Sequence, residues 1–84
     1  MVIPDSVVFD AEPLIAHADD DPGSDVVEEY LDAVAVRDTA GDASCVNLAE
    51  IRYTIARKYD RITADEYLDW LIALGIETVR VGDS

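Results

Sequence analysis

Lysine is nearly missing from this chain. Lys58 is the single one in 84 residues, and arginine raises the basic total only to six against 19 aspartates and glutamates. The formal net charge is −13 and the sequence pI about 4.1. Cysteine is almost as scarce. Cys45 alone excludes an internal disulfide and fits a reducing compartment. His17 is the only histidine, and the sequence shows neither a Cys/His metal spacing nor a Ser/His/Asp set. There are four glycines and no glycine-rich phosphate loop. No apolar run approaches the ~18 residues that span a bilayer. No basic segment leads into an apolar stretch as in a signal peptide. The expectation is a soluble, cytoplasmic protein.

What remains is a carboxylate-rich chain that is half apolar. At this length it forms one small domain, residues 1–84, and a chain so short buries only about 60% of its unfolded surface. Four amphipathic segments set it apart from a disordered acidic tail. The acids are spread over every segment, and aspartate outnumbers glutamate. Two explanations fit that surface: a partner with a basic face, or a host with salty cytoplasm in which carboxylates keep the surface hydrated. The even spread favours the second. Such a surface repels itself in dilute buffer, and at about 1 M salt the Debye length falls to ~3 Å.

The stretch Val7-Val8-Phe9-Asp10 organises the rest. Its unbroken apolar run reads as a strand from about Ser6 to Asp10, buried on both faces as in a parallel sheet. Asp10 then sits at the strand's C-terminal end, the edge where ligands bind in open α/β sheets. Pro4 delays the strand's start. A short helix follows through Pro13, Leu14, Ile15, Ala16 and His17, and ends in Asp19-Asp20-Asp21-Pro22-Gly23. Ser24 caps a second helix whose stripe is Val26, Val27, Tyr30, Leu31 and Val34. The turn Asp38–Asp42 closes it, and Ala43-Ser44-Cys45-Val46 reads as a second buried strand, with Cys45 inside.

Asn47-Leu48-Ala49-Glu50 has the form of a capping box opening a third helix, with Leu48, Ile51, Ile55 and Tyr59 on one face. Thr63-Ala64-Asp65-Glu66 reads as another, opening a helix with Tyr67, Trp70, Leu71 and Leu74 inward and Gly75 at its end. The tyrosines and Trp70 read as core or interface. Ile76 to Val81 is a third strand, and Gly82-Asp83-Ser84 a frayed end. The order β-α-α-β-α-α-β predicts an α/β fold, a three-layer parallel sheet with helices on both faces.

The candidate chemistry is carboxylate. Asp10 ends the first strand, and Glu50 lies four residues beyond the second. Adjacent parallel strands bring those ends to one edge. Two carboxylates there suit a hard divalent cation, Mg²⁺ or Mn²⁺, which takes oxygen ligands and keeps waters. Such an ion polarises a phosphodiester and lowers the pKa of a bound water. Each acid also has a plain structural role: Asp10 as an N-cap, Glu50 at the third position of a capping box, Glu12 as a first-turn acid on the helix dipole. Arg52, Arg57, Lys58 and Arg61 form a basic stripe that either holds phosphate or pairs with nearby acids.

Val7-Val8-Phe9-Asp10-Ala11 followed by Leu14-Ile15-Ala16 resembles the opening of a PIN domain. Ser44-Cys45-Val46-Asn47-Leu48-Ala49-Glu50-Ile51 resembles that family's second motif, and the continuation from Tyr53 to Arg57 and the strand from Ile76 to Val81 also fit. The likeness covers about residues 6–81. The nearest subgroup is the VapC-type toxins of toxin–antitoxin pairs. The resemblance implies Mg²⁺-dependent ribonuclease activity on RNA, with Asp10 and Glu50 as metal ligands and Asn47 as a polar neighbour that orients them. It also implies a homodimer and inhibition by a small antitoxin. Glu12 occupies a place where that family usually has a small hydroxyl or amide residue. The family's remaining strands and site aspartates have no counterpart here, and Asp83 is no substitute. The expectation is a truncated PIN-like domain with half of the acidic site and with its first strand at an open edge. The alternative expectation is a degenerate PIN fragment that acts as a protein-interaction module.

Overall fold

The structure, a computed structural model, describes residues 5–80. The expectations for Pro4, Val81 and the Gly82–Ser84 end lie outside those residues. The elements run β1 (Ser6–Val8), α1 (Ala11–Ala18), α2 (Asp25–Ala35), β2 (Ala40–Ser44), α3 (Cys45–Lys58), α4 (Arg61–Leu74) and β3 (Glu77–Val79). This is the predicted order. The three strands form one parallel sheet, β1-β2-β3, with Ser6 opposite Ala40 and Asp42 opposite Glu77. The fold is therefore α/β.

The first strand departs from the expectation of burial on both faces. Val7 and Phe9 turn toward the core, while Val8 is 72% exposed. Side chains alternate across a strand, and among the described residues β1 has a neighbour on one side only. The apolar run therefore has one buried face, carrying Val7 and Phe9, and one face left open at Val8.

The second strand begins earlier than predicted, at Ala40 instead of Ala43. The expected turn through Asp42 is strand instead, because Gly41 admits a close approach. A Cβ there would stand 2.8 Å from Val34 Cγ2, 2.9 Å from Ile76 Cδ1 and 3.0 Å from Phe9 Cε2. Three core side chains converge on the place that glycine leaves empty.

Both predicted capping boxes are displaced by earlier caps. Ser44 Oγ accepts from Asn47 N at 3.0 Å and starts α3 at Cys45. Asp60 Oδ1 accepts from Thr63 N at 2.6 Å and starts α4 at Arg61. Cys45, predicted buried, is exposed because it is the first residue of a helix and not the inside of a strand. Tyr59 is also exposed, since α3 ends before it. Gly75 ends α4 with φ of 129°, a value only glycine adopts easily, and it donates to Leu71 and Ile72 carbonyls.

The core joins Phe9, Leu14, Leu31, Val34, Ile51, Ile55, Leu71 and Ile76. α3 packs on both α1 and α4, and α2 and α3 both contact β2. α1, which follows Asp10, and α3, which carries Glu50 in its second turn, thus pack against each other. No helix among the described residues is long and apolar enough to cross a membrane.

Candidate functional site

Parallel pairing puts the C-terminal ends of β1 and β2 side by side. Phe9 N donates to Asp42 O at 2.8 Å, which carries the ladder one residue past β1. Asp10 follows immediately and α1 begins at Ala11, while α3 begins directly after Ser44. Asn47 ties the two together. Its side-chain Nδ2 donates to the Phe9 carbonyl oxygen at 3.4 Å, from α3 across to the residue before Asp10. Asn47 is half-buried there, whereas Asp10, Glu12 and Glu50 are exposed. Asn47 thus links the start of α3 to the end of β1.

The plain structural roles weighed for two of these acids are not taken up. Asp10 stands at the N-cap of α1 with extended backbone, φ −82° and ψ 164°, yet its carboxylate makes no capping hydrogen bond. Glu50 is the sixth residue of a helix that starts at Cys45, too far along to serve a capping box. Glu12 does lie in the first turn of α1, where an acid suits the dipole. Asn47 and Glu50 are three residues apart on α3 and so share a face.

Among the described residues no three His, Cys, Asp or Glu side chains gather in a group that could hold a metal ion. The candidate residues Asp10, Glu50 and Asn47 offer two carboxylates and an amide. Oxygen donors of this type fit Mg²⁺ or Mn²⁺, which complete their shells with water.

Sequence reading gave His17 no partner, but the structure does. Its Nδ1 lies 2.9 Å from Tyr67 Oη, and Tyr67 donates its hydroxyl proton to the Leu14 carbonyl at 3.0 Å. The hydroxyl has one proton and gives it to Leu14, so His17 Nδ1 is the donor to Tyr67. The His17 ring also stacks on Trp70, with centroids 5.8 Å apart and planes 10° from parallel. This cluster fastens α1 to α4. Spacing on α4 indicated that Tyr67 and Trp70 share a side, but nothing local indicated His17 as their counterpart.

A scan against protein-family models gives no match for this chain, and no curated protein matches it.

Proposed function

We propose that the sheet edge carrying Asp10 and Glu50 binds Mg²⁺ or Mn²⁺, and that the chain is a PIN-like, metal-dependent ribonuclease domain of the VapC type. The observation that carries this reading is the freedom of both carboxylates. Each is exposed, neither has the capping role that its sequence context offered, and Asn47 connects the elements that bear them. The three-layer PIN arrangement, with helices on both faces of a parallel sheet, is the finer form of the fold that this reading entails.

Asp10 and Glu50 would hold the cation, with Asn47 fixing the Phe9 carbonyl and hence the direction in which Asp10 leaves the strand. When bound, the cation supplies charge to polarise a phosphodiester and acidify a water. Glu12, exposed on the first turn of α1, adds negative potential from outside the pair. An RNA strand is the substrate on this reading.

Among the described residues β1 has no partner on its outer edge, which favours a second reading, a non-catalytic interaction module. A small cavity of about 210 Å³ beside this strand is lined by Val7, Val8, Phe9, Val26 and Tyr30, among others. An unpaired apolar edge invites another chain, either a second copy or an antitoxin-like partner.

One titration separates the two. Amide resonances are followed as Mg²⁺ is added to the protein in high salt. The nuclease reading expects saturable shifts confined to residues around Asp10, Asn47 and Glu50, lost in Asp10→Asn. Uniform, non-saturating shifts would remove it and leave the interaction reading. That reading in turn expects Val8→Asp to abolish partner binding or dimerisation while Asp10→Asn leaves it intact.

A further inference from the structure

We infer that the groove between α3 and α4 binds the phosphate backbone of a single-stranded nucleic acid through Arg57 and Arg61, with Tyr53 as a stacking surface. The choice of RNA over DNA rests on the ribonuclease reading above; the groove itself does not.

The groove has a cavity volume of about 640 Å³, and its lining is Ala49, Arg52, Tyr53, Ala56, Arg57 and Arg61. Half the basic residues of the whole chain therefore line one groove, and no carboxylate lines it, in a protein with 19 acids. In such a chain an arginine can easily find an acid on the same surface. Arg52 does so, its Nε bound to Asp65 Oδ1 at 2.7 Å. Arg57 and Arg61 form no ion pair among the described residues. The nearest acid in sequence to Arg61 is Asp60, whose carboxylate is occupied in accepting from Thr63 N. Two guanidinium groups thus line the groove with no carboxylate partner among the described residues.

The chemistry of the lining selects the ligand. A guanidinium offers a planar fork of donors that matches phosphate bidentately. Arg57 Cζ lies 5.6 Å from the centre of the Tyr53 ring, and Tyr53 is 63% exposed. A cationic groove with an exposed aromatic ring is the arrangement by which single strands are held, phosphates on the charges and a base on the ring. Ala49 and Ala56 keep the floor low. An acidic peptide would satisfy the arginines but brings no base to the exposed Tyr53 ring.

The position also fits. Glu50, Tyr53, Thr54 and Arg57 are spaced i, i+3, i+4 and i+7 on α3 and share one face. Seven residues of helix place Arg57 about 10.5 Å along the axis from Glu50. A strand bound in the groove runs along the helix that carries Glu50. The chain's net negative charge does not forbid this. At 0.15 M salt the Debye length is about 8 Å. The molecule extends 37 × 35 × 19 Å, so most of its carboxylates are screened from the groove.

The test uses the whole chain and a fluorescein-labelled single-stranded RNA, with binding read by anisotropy across a salt series in EDTA. Without a divalent cation the acidic site takes no part. Failure here and failure of the Mg²⁺ titration are therefore separate results. Binding should weaken with salt. Arg57→Gln and Arg61→Gln should each flatten the plot of log K against log salt by about 0.7, and together by about 1.4. Arg37→Gln makes the same change in net charge at an exposed site outside this groove and should leave the slope as in the parent. Circular dichroism confirms that each variant is folded. No binding by the folded parent, equal effects from all three substitutions, or equally effective displacement by polyglutamate would each overturn the proposal, the last by assigning the groove to an acidic protein.

Discussion

Gly41→Ala tests whether the convergence on β2 is as tight as the structure has it. The added methyl would meet Val34 Cγ2 at 2.8 Å, Ile76 Cδ1 at 2.9 Å and Phe9 Cε2 at 3.0 Å. None of these can retreat easily. Val34 is β-branched and stiff, Phe9 is a planar ring, and all three side chains are at least 96% buried. Overpacking of this kind costs about 1–3 kcal/mol. Against it stands the smaller freedom of alanine in the unfolded chain, which stabilises by about 0.4–1 kcal/mol. The net is a loss of about 1 kcal/mol, and in a domain of this size each kcal/mol lowers the melting temperature by about 4–8 °C. Thermal unfolding in high salt measures it. Ile76→Val supplies the control by removing Cδ1. Alone it should cost about 0.5–1.5 kcal/mol. Beside Gly41→Ala it should cost clearly less, since it relieves one of the three contacts, and the coupling should exceed about 0.5 kcal/mol. A Gly41→Ala protein that melts higher than its parent, or two substitutions that simply add, would refute the reasoning.

Tyr67→Phe should destabilise the fold by about 1–3 kcal/mol, because it leaves His17 Nδ1 and one contact of the Leu14 carbonyl unanswered. Urea unfolding gives the value, and an unchanged midpoint would mean that the His17–Tyr67–Leu14 chain contributes nothing. Asp19 should mark the acid limb. Its carboxylate accepts from Lys58 Nζ at 2.5 Å and from Tyr59 Oη at 2.8 Å, and chiefly the lysine contact holds its pKa below the usual aspartate value. A group depressed in the folded state contributes its stability above the unfolded pKa, near 3.8, and loses it as pH falls through the lower folded value. The stability gap between the parent and Asp19→Asn should therefore be widest above about pH 4 and close on further acidification. A gap that widens on acidification would contradict the assignment.

Element order and type were legible because each helix carries an amphipathic period and each break carries proline, glycine or clustered aspartate. Boundaries were less so, and the reasons are local. Ser44 and Asn47 both make good N-caps, and only the fold decided that Ser44 Oγ would reach Asn47 N. Asp60 against Thr63 posed the same choice. Gly41 looked like a turn because its reason for being glycine is Val34, Phe9 and Ile76, residues distant in sequence. Val7-Val8-Phe9 looked doubly buried because composition does not say whether both faces of a strand are covered. Of the candidate site, the convergence of the first two strand ends was legible from parallel topology. The hydrogen bond from Asn47 to the Phe9 carbonyl was not, since it depends on how α3 leaves β2. The basic stripe on α3 was visible, but α4 had to be placed before it became one wall of a groove that Arg61 completes.

The bare flank of β1 has a consequence for handling the molecule. Among the described residues that side of β1 has no strand partner, and β1 itself, Ser6–Val8, holds no lysine or proline. Repulsion between bodies of charge −13 opposes the pairing of two copies there. Dissolved ions weaken that repulsion at the same time as they relieve crowding of carboxylates within each copy. One solvent variable therefore eases the charge crowding within each molecule and lowers the barrier to its pairing with a second copy.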